Sequence, residues 1–160
     1  MAVAKVQYSA ATTITITTDS LASSTTAGRE STVVDNTTTL YQDALVTFKI
    51  VYPNSAPANH KGIYVFAYAW DGTDYTYPVA GTGDAAVTLD DITTTAYQLP
   101  QIGFIPCIQN KTLKSRPFSV ASAFGGLLPQ KWGIVVLNYS GQTLSTGNTC
   151  RFVGINTSVV

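Results

Sequence analysis

Apolar and polar residues alternate with period two along most of this chain, and β-branched and aromatic side chains fill the alternating positions. That pattern suits a pleated, half-buried surface better than a helix. The run Thr12–Thr18 puts Ile14 and Ile16 on one face and threonines on the other. Ala44–Tyr52 sets Val46, Phe48 and Ile50 against Thr47 and Lys49. Each predicts a strand with one wet face. Gly62–Trp70 is instead apolar throughout and stops at the turn dipeptide Asp71-Gly72, which predicts a central strand covered on both sides. Tyr64, Phe66 and Tyr68 share one face of it, and Ile63, Val65, Ala67 and Ala69 the other. A sheet built around such a strand needs a partner layer.

Further strands are predicted over Tyr97–Gln109, Arg116–Ala121, Trp132–Tyr139 and Thr149–Thr157, with turn residues between them at the spacing of a sandwich. Pro100 and Pro106 predict an edge strand, a bulge or two short strands in the first of these. Pro53–Gly62 and Val79–Asp84 are loops by composition, able to reach outward to a neighbour. No helical periodicity, internal repeat or domain linker is present. The expected fold is an all-β, single-domain β-sandwich, jelly-roll-like, of about eight strands. It occupies residues 28–160, after a Thr-rich N-terminal arm or first strand at 1–27.

A chain of 160 residues suits one core. Charged residues make up only 11% of it, against about 25% in an ordinary soluble domain, so Thr, Ser, Asn, Gln and Tyr must cover the surface. Nine acidic and nine basic residues cancel. Nucleic acid and anionic membrane are therefore poor partners, whereas burial against protein is cheap because few ions need desolvation. The N-terminus has no basic region followed by a long apolar run, and no segment approaches 18 apolar residues, which predicts neither export by a signal peptide nor a membrane span. Cys107 and Cys150 lack any metal-binding spacing and are expected to be buried thiols or one cross-strand disulfide.

Chemistry is scarce. One His, one Glu and eight Asp supply few titratable groups, and His60 lies in a loop with no partner base or nucleophile motif. No catalytic, cofactor-binding or metal-binding residue is assigned, and the expectation is that the protein is not an enzyme. Asp71 and Asp74 fit a hairpin turn better than a calcium loop. Asp90-Asp91 reads as a solvated turn or a helix-cap-like Asx turn, and the glycine pairs Gly81/Gly83 and Gly125/Gly126 lack a phosphate loop's context. Tyr64, Tyr68, Trp70, Tyr75 and Tyr77 form an aromatic cluster that suits core packing, or alternatively a sugar-stacking face. Tyr75 and Tyr77, past the turn, are the candidates for exposed contact.

Two segments are built for contact. Arg29, Glu30 and Asp35 concentrate charge in a chain that uses it sparingly, which points to an internal Arg–carboxylate pair or an intersubunit salt bridge. Ala123–Gly133 clusters Phe124, Leu127, Leu128 and Trp132 around two glycines and Pro129. Apolar side chains on a loop need a cover, so the segment plugs the open end of the sandwich or inserts into an adjacent subunit. If it inserts, Trp132→Ala should weaken attachment more than it weakens the fold.

The stretches Gly28–Asn36, Asp43–Lys49 and Ala123–Gly141 resemble a family of small structural proteins of tailed bacteriophages, with similarity over roughly residues 25 to 155. The resemblance implies a virion component assembled in the host cytoplasm and carries no catalytic residues. The expectation is a capsid decoration or cement protein at the capsid surface. Its partners would be the major capsid protein and copies of itself, as a homo-oligomer within the virion, with no cofactor, nucleic acid or membrane. Alternatives are a tail, neck or baseplate subunit and a carbohydrate-binding module.

Overall fold

The longest alternating run becomes the middle of one sheet, and the all-apolar run becomes the middle of another. The computed structural model describes residues 3–58, 61–91, 94 and 98–159. In chain order the strands are β1 (Ala4–Tyr8), β2 (Thr12–Ile14), β3 (Ala27–Glu30), β4 (Val34–Asp35), β5 (Asp43–Val51) and β6 (Gly62–Ala69). They continue with β7 (Ala85–Thr88), β8 (Gln101–Pro106), β9 (Thr112–Lys114), β10 (Phe118–Ser119), β11 (Lys131–Tyr139) and β12 (Thr149–Val159).

In the first sheet β12 lies between β5 and the edge strands β1 and β2, and β9 and β10 share the far edge of β5. The second sheet runs β7-β3-β11-β6-β8, with β4 continuing β3 along β11. Every pairing is antiparallel. Counting β3 with β4 and β9 with β10 as interrupted strands, and leaving β1 and β7 aside, eight principal strands remain. They fall first-eighth-third-sixth in one sheet and second-seventh-fourth-fifth in the other. This is the jelly-roll order.

Between the sheets, Val46, Phe48, Ile50, Cys150 and Phe152 of the first meet Ile63, Val65, Ala67, Trp132, Ile134 and Val136 of the second. The alternation in β5 thus has the predicted sense, with Thr47 and Lys49 outward and half-buried. A second, smaller core explains why β6 has no wet face. The connection from β6 to β8 folds back over the outside of the second sheet, and Val79, Val87, Leu89 and Leu99 pack on Phe66, Tyr68, Val135 and Leu137. Tyr68 seals this layer. Its ring lies in the space that a side chain on its cross-strand partner Gly133 would occupy, and its hydroxyl donates to the Ser31 carbonyl at 2.8 Å.

Several predicted boundaries move. The strand sought from Tyr97 begins at Gln101, after Pro100, and Tyr97 lies outside the described residues. Proline's missing donor is tolerated because β8 is an edge. Arg116–Ala121 yields only the two-residue β10 followed by a single 3-10 turn at Ala121–Phe124. Val79–Asp84 is anchored at both ends, Val79 in the second core and Asp84 by Arg29, with Ala80 and Thr82 exposed between them. The N-terminal residues are strands of the sandwich, since β1 and β2 both pair with β12.

Candidate protein interface

Loops at one end of the sandwich are tied together by backbone hydrogen bonds. Asn36 donates to Gln130 at 2.7 Å, Leu128 to Gln42 at 3.0 Å, Trp70 to Lys131 at 3.0 Å and Gln42 to Ile155 at 2.8 Å. The β4–β5 connection, the start of the β6–β7 connection, the β10–β11 connection and the far half of β12 therefore meet there. Three large apolar side chains on these loops face solvent: Leu40 is 67% exposed, Tyr77 63% and Leu127 71%.

Each is presented by its local structure. The buried Asn36 side chain accepts from the Tyr41 amide at 2.8 Å and donates to the Tyr41 carbonyl at 2.9 Å, closing the loop around itself. Leu40 is thereby held outward at φ 51, a left-handed conformation that costs a leucine about 1 kcal/mol or more. Gly125 and Gly126, at φ 73 and 94, end the 3-10 turn and reverse the chain. Phe124 packs inward before them, Leu127 points out, and Leu128 turns in again. Tyr77 stands between Thr76, which donates from its amide to the Ala69 carbonyl, and the buried Val79.

The first strand adds to this end. β5 stops pairing with β12 at Ile155, so beyond that residue β12 has only β1 beside it. The two make a ribbon in which every residue of β1 is exposed, carrying Val6 and Tyr8 with Val3 just before it. Among the described residues, six of the seven exposed large apolar side chains lie at this one end, and only Ile108 stands at the other.

At the far end the loops are tied by buried polar side chains, beside an apolar groove of Phe104, Ile105, Pro106, Ile108 and Leu113. Asn138 donates to the carbonyls of Leu21 and Gln142, both at 2.8 Å, and Gln142 donates to the Cys107 sulfur at 2.9 Å. Burial pushes the Cys107 thiol up despite that bond, and pushes the Cys150 thiol, inside the main core, up as well. Both cysteines are unpaired, so no cross-strand disulfide forms. His60 lies outside the described residues, among which no three metal-ligating side chains come together.

The chain matches no family model, no curated protein and no solved structure.

The predicted contact residues divide. Arg29 pairs with neither Glu30 nor Asp35 but with Asp84, its Nε at 2.6 Å from Oδ1 and its Nη2 at 3.0 Å from the carbonyl. Glu30 is buried beneath the second core's cover, where one carboxylate oxygen accepts from the Ala80 amide and the other meets no partner. Adjacent strand positions face opposite sides: Glu30 shares its face with Val135, under the cover, whereas Arg29 shares its face with Val136, toward the first sheet, and stays partly exposed. Asp35 is exposed, and its carboxyl is held below the usual range by the Thr37 hydroxyl and amide, with Lys131 opposite adding its charge.

Trp132 belongs to the strand predicted to start there and not to the apolar loop before it. It sits in β11, fully buried, edge-on to Phe152 at 5.4 Å between ring centres. Leu128 is buried and Phe124 half-buried in the same core, so three of the four apolar residues in this segment form the plug and only Leu127 is exposed. Tyr75 is half-buried edge-on against Tyr68 at 5.9 Å, Tyr64 meets Phe104 at 5.0 Å, and the Lys131 ammonium covers the Trp70 ring. These rings form no open sugar-stacking face; Tyr77 is the one left exposed. Leu40, Val3, Val6 and Tyr8 went unnoticed in the sequence. The available signal was a lone leucine at the end of Asn36-Thr-Thr-Thr-Leu40, an apolar residue where a polar loop had no need of one.

Proposed function

We propose that this protein is a structural subunit that acts by attachment, and that its place is the virion of a tailed phage, as a capsid decoration or cement protein. The observation that carries the reading is the gathering of Val3, Val6, Tyr8, Leu40, Tyr77 and Leu127, six of the seven exposed large apolar side chains among the described residues, at one end of the sandwich. Exposed apolar side chains gathered at one end of a molecule mark a contact site, and here a strained leucine and an unsupported ribbon contribute to it. Three carboxyls already have structural duties: those of Asp71 and Asp35 are taken by adjacent amides and hydroxyls, and that of Asp84 by Arg29.

A subunit of this kind works through mass action. A contact available only in the assembled shell favours the shell by the free energy of that contact. The seat for the apolar end would be a seam between major capsid protein subunits.

The test has two parts. Quantitative mass spectrometry of purified particles should find the chain at a copy number comparable with the shell subunit; a far lower number would assign it to the tail, neck or baseplate, and absence would end the proposal. Replacing Leu40, Tyr77 and Leu127 together by Ser should abolish attachment to particles while changing stability by no more than about 0.5 kcal/mol per site.

A further inference from the structure

The zero net charge conceals a separation of charge by face. From Trp70 to Pro100, the connection that covers the outside of the second sheet, the sequence holds five aspartates and neither lysine nor arginine. Asp71, Asp74 and Asp90 on it are exposed, while Asp84 is engaged by Arg29.

The outside of the first sheet carries the opposite sign. There a groove of about 490 Å³ is lined by Lys49, Lys114 and Arg151 together with Thr47, Ser115 and Thr149. Strand register explains the convergence. Lys49 of β5 faces Lys114 on one side and Thr149 on the other, and Arg151 follows Thr149 two residues along β12, on the same face. Two lysines directly opposite across a strand pair repel, and the fold gains nothing from placing them there. Among the described residues no carboxylate ion-pairs with any of the three, whereas Arg29 pairs with Asp84. Asp19 is near enough to feel Lys49, but the amides of Gly147 and Asn148 occupy its oxygens. Lys111 and Arg116, both exposed, extend the same sign beyond the groove. The cations on the acidic side are engaged at its margins, Lys131 over Trp70 and Lys61 over Tyr139.

We infer that the Lys49–Lys114–Arg151 face docks on the aspartate-bearing cover of a second copy of this chain, in a head-to-tail contact. The two outer faces of one sandwich point in opposite directions, so a contact between unlike faces uses both on every copy. It repeats until a ring closes or a row forms. The contact runs from Asp71 and Asp74, which stand at the apolar end, along the cover toward Asp90, and leaves Leu40, Leu127 and the β1–β12 ribbon free to seat on the surface below. This inference deepens the structural-subunit reading by naming its lateral contact, and it rests on that reading only for its biological setting.

Sedimentation equilibrium of the full chain tests it. The wild type should associate in a concentration-dependent way at low salt and become monomeric at molar salt, where charges are screened within a few ångströms. Lys49→Glu, Lys114→Glu and Arg151→Glu combined should be monomeric at low salt, as should Asp71→Lys, Asp74→Lys and Asp90→Lys combined. An equimolar mixture of the two triple variants should associate again, because one then has two acidic faces and the other two basic ones. If either triple variant fails to fold, the corresponding Gln or Asn replacements must still lower association at least tenfold. A wild type that is monomeric at low salt at every concentration overturns the contact. If that monomer is also retained by dextran sulfate through Arg151, the groove takes a polyanion instead. Absence of the chain from purified particles would sink the proposed function yet leave the sedimentation result standing, so the two failures are distinct.

Discussion

Ser31 and Ser115 perform the same task in opposite sheets. Each sits where its strand carries one residue more than the strand beside it: four steps from Glu30 to Val34 oppose three from Val135 to Trp132, and four from Lys114 to Phe118 oppose three from Lys49 to Val46. In both, the serine amide donates to the neighbouring strand, to Ile134 at 2.9 Å and to Phe48 at 2.8 Å. Its hydroxyl oxygen then accepts the return bond, from Ile134 at 3.0 Å and from Phe48 at 2.9 Å. The side chain thus replaces the carbonyl that a bulge displaces from the ladder. Ser31→Ala and Ser115→Ala should each leave an amide without a partner and cost about 1–3 kcal/mol in chemical denaturation. Exchange of the Ile134 amide should accelerate in the first variant and of the Phe48 amide in the second. Unchanged exchange would show that the hydroxyls are incidental.

Trp132 and Leu127, five residues apart, should respond oppositely to truncation. Trp132→Ala removes a fully buried indole from between the sheets and should cost about 3–5 kcal/mol, much of the stability of a domain this size. Leu127→Ala removes a side chain that is 71% exposed and should leave the thermal midpoint nearly unchanged while weakening attachment to particles. Calorimetry alongside a particle-binding assay separates the two effects.

Acid should loosen the fold from one side. Burial opposes ionisation of Asp84, but the bonds from Arg29 and Thr17 outweigh it and lower the carboxyl below its ordinary range. Asp19 is lowered by the amides of Gly147 and Asn148. A carboxylate whose folded-state pKa lies below its unfolded value stabilises the fold at any pH above that unfolded value. The contribution is lost as pH falls through the folded one. Stability should therefore be level from about pH 5 upward and decline below about pH 4. Asp84→Asn should lower the plateau by under about 1 kcal/mol, since the pair is partly exposed, and should make the decline shallower. A decline equally steep in Asp84→Asn would exclude that residue as a source.

How much of this was legible in the sequence depended on how local each cause is. β5 and β6 could be read directly because alternation and its absence are printed residue by residue, and the division of β6 into Tyr64/Phe66/Tyr68 and Ile63/Val65/Ala67 faces follows from strand geometry alone. Trp132 could be read both as the first residue of a strand and as part of the apolar loop, because glycines and a proline precede it; its burial depends on register with Ala69, distant in sequence. The partner of Arg29 lay beyond reach for the same reason: Asp84 arrives only because the β6–β8 connection folds back and β7 pairs with β3. The interface shared that difficulty. Leu40, Tyr77, Leu127 and Val6 come from four separate segments, and nothing in any one of them signals the others.

The β1–β12 ribbon gives the last test. From Ala4 to Gln7 it pairs with Asn156–Val159 and with nothing else, and every residue of β1 is exposed. An isolated two-stranded ribbon is marginal in water, so its amides should open without global unfolding and exchange far faster than those of β11, which is covered on both faces. Attachment would supply the missing cover. Hydrogen exchange on free protein and on purified particles should then differ most at residues 4–8 and 156–158, with protection rising in the particle while β11 changes little. If the ribbon exchanges equally fast in both, β1 lies outside the contact, and the apolar end reduces to Leu40, Tyr77 and Leu127.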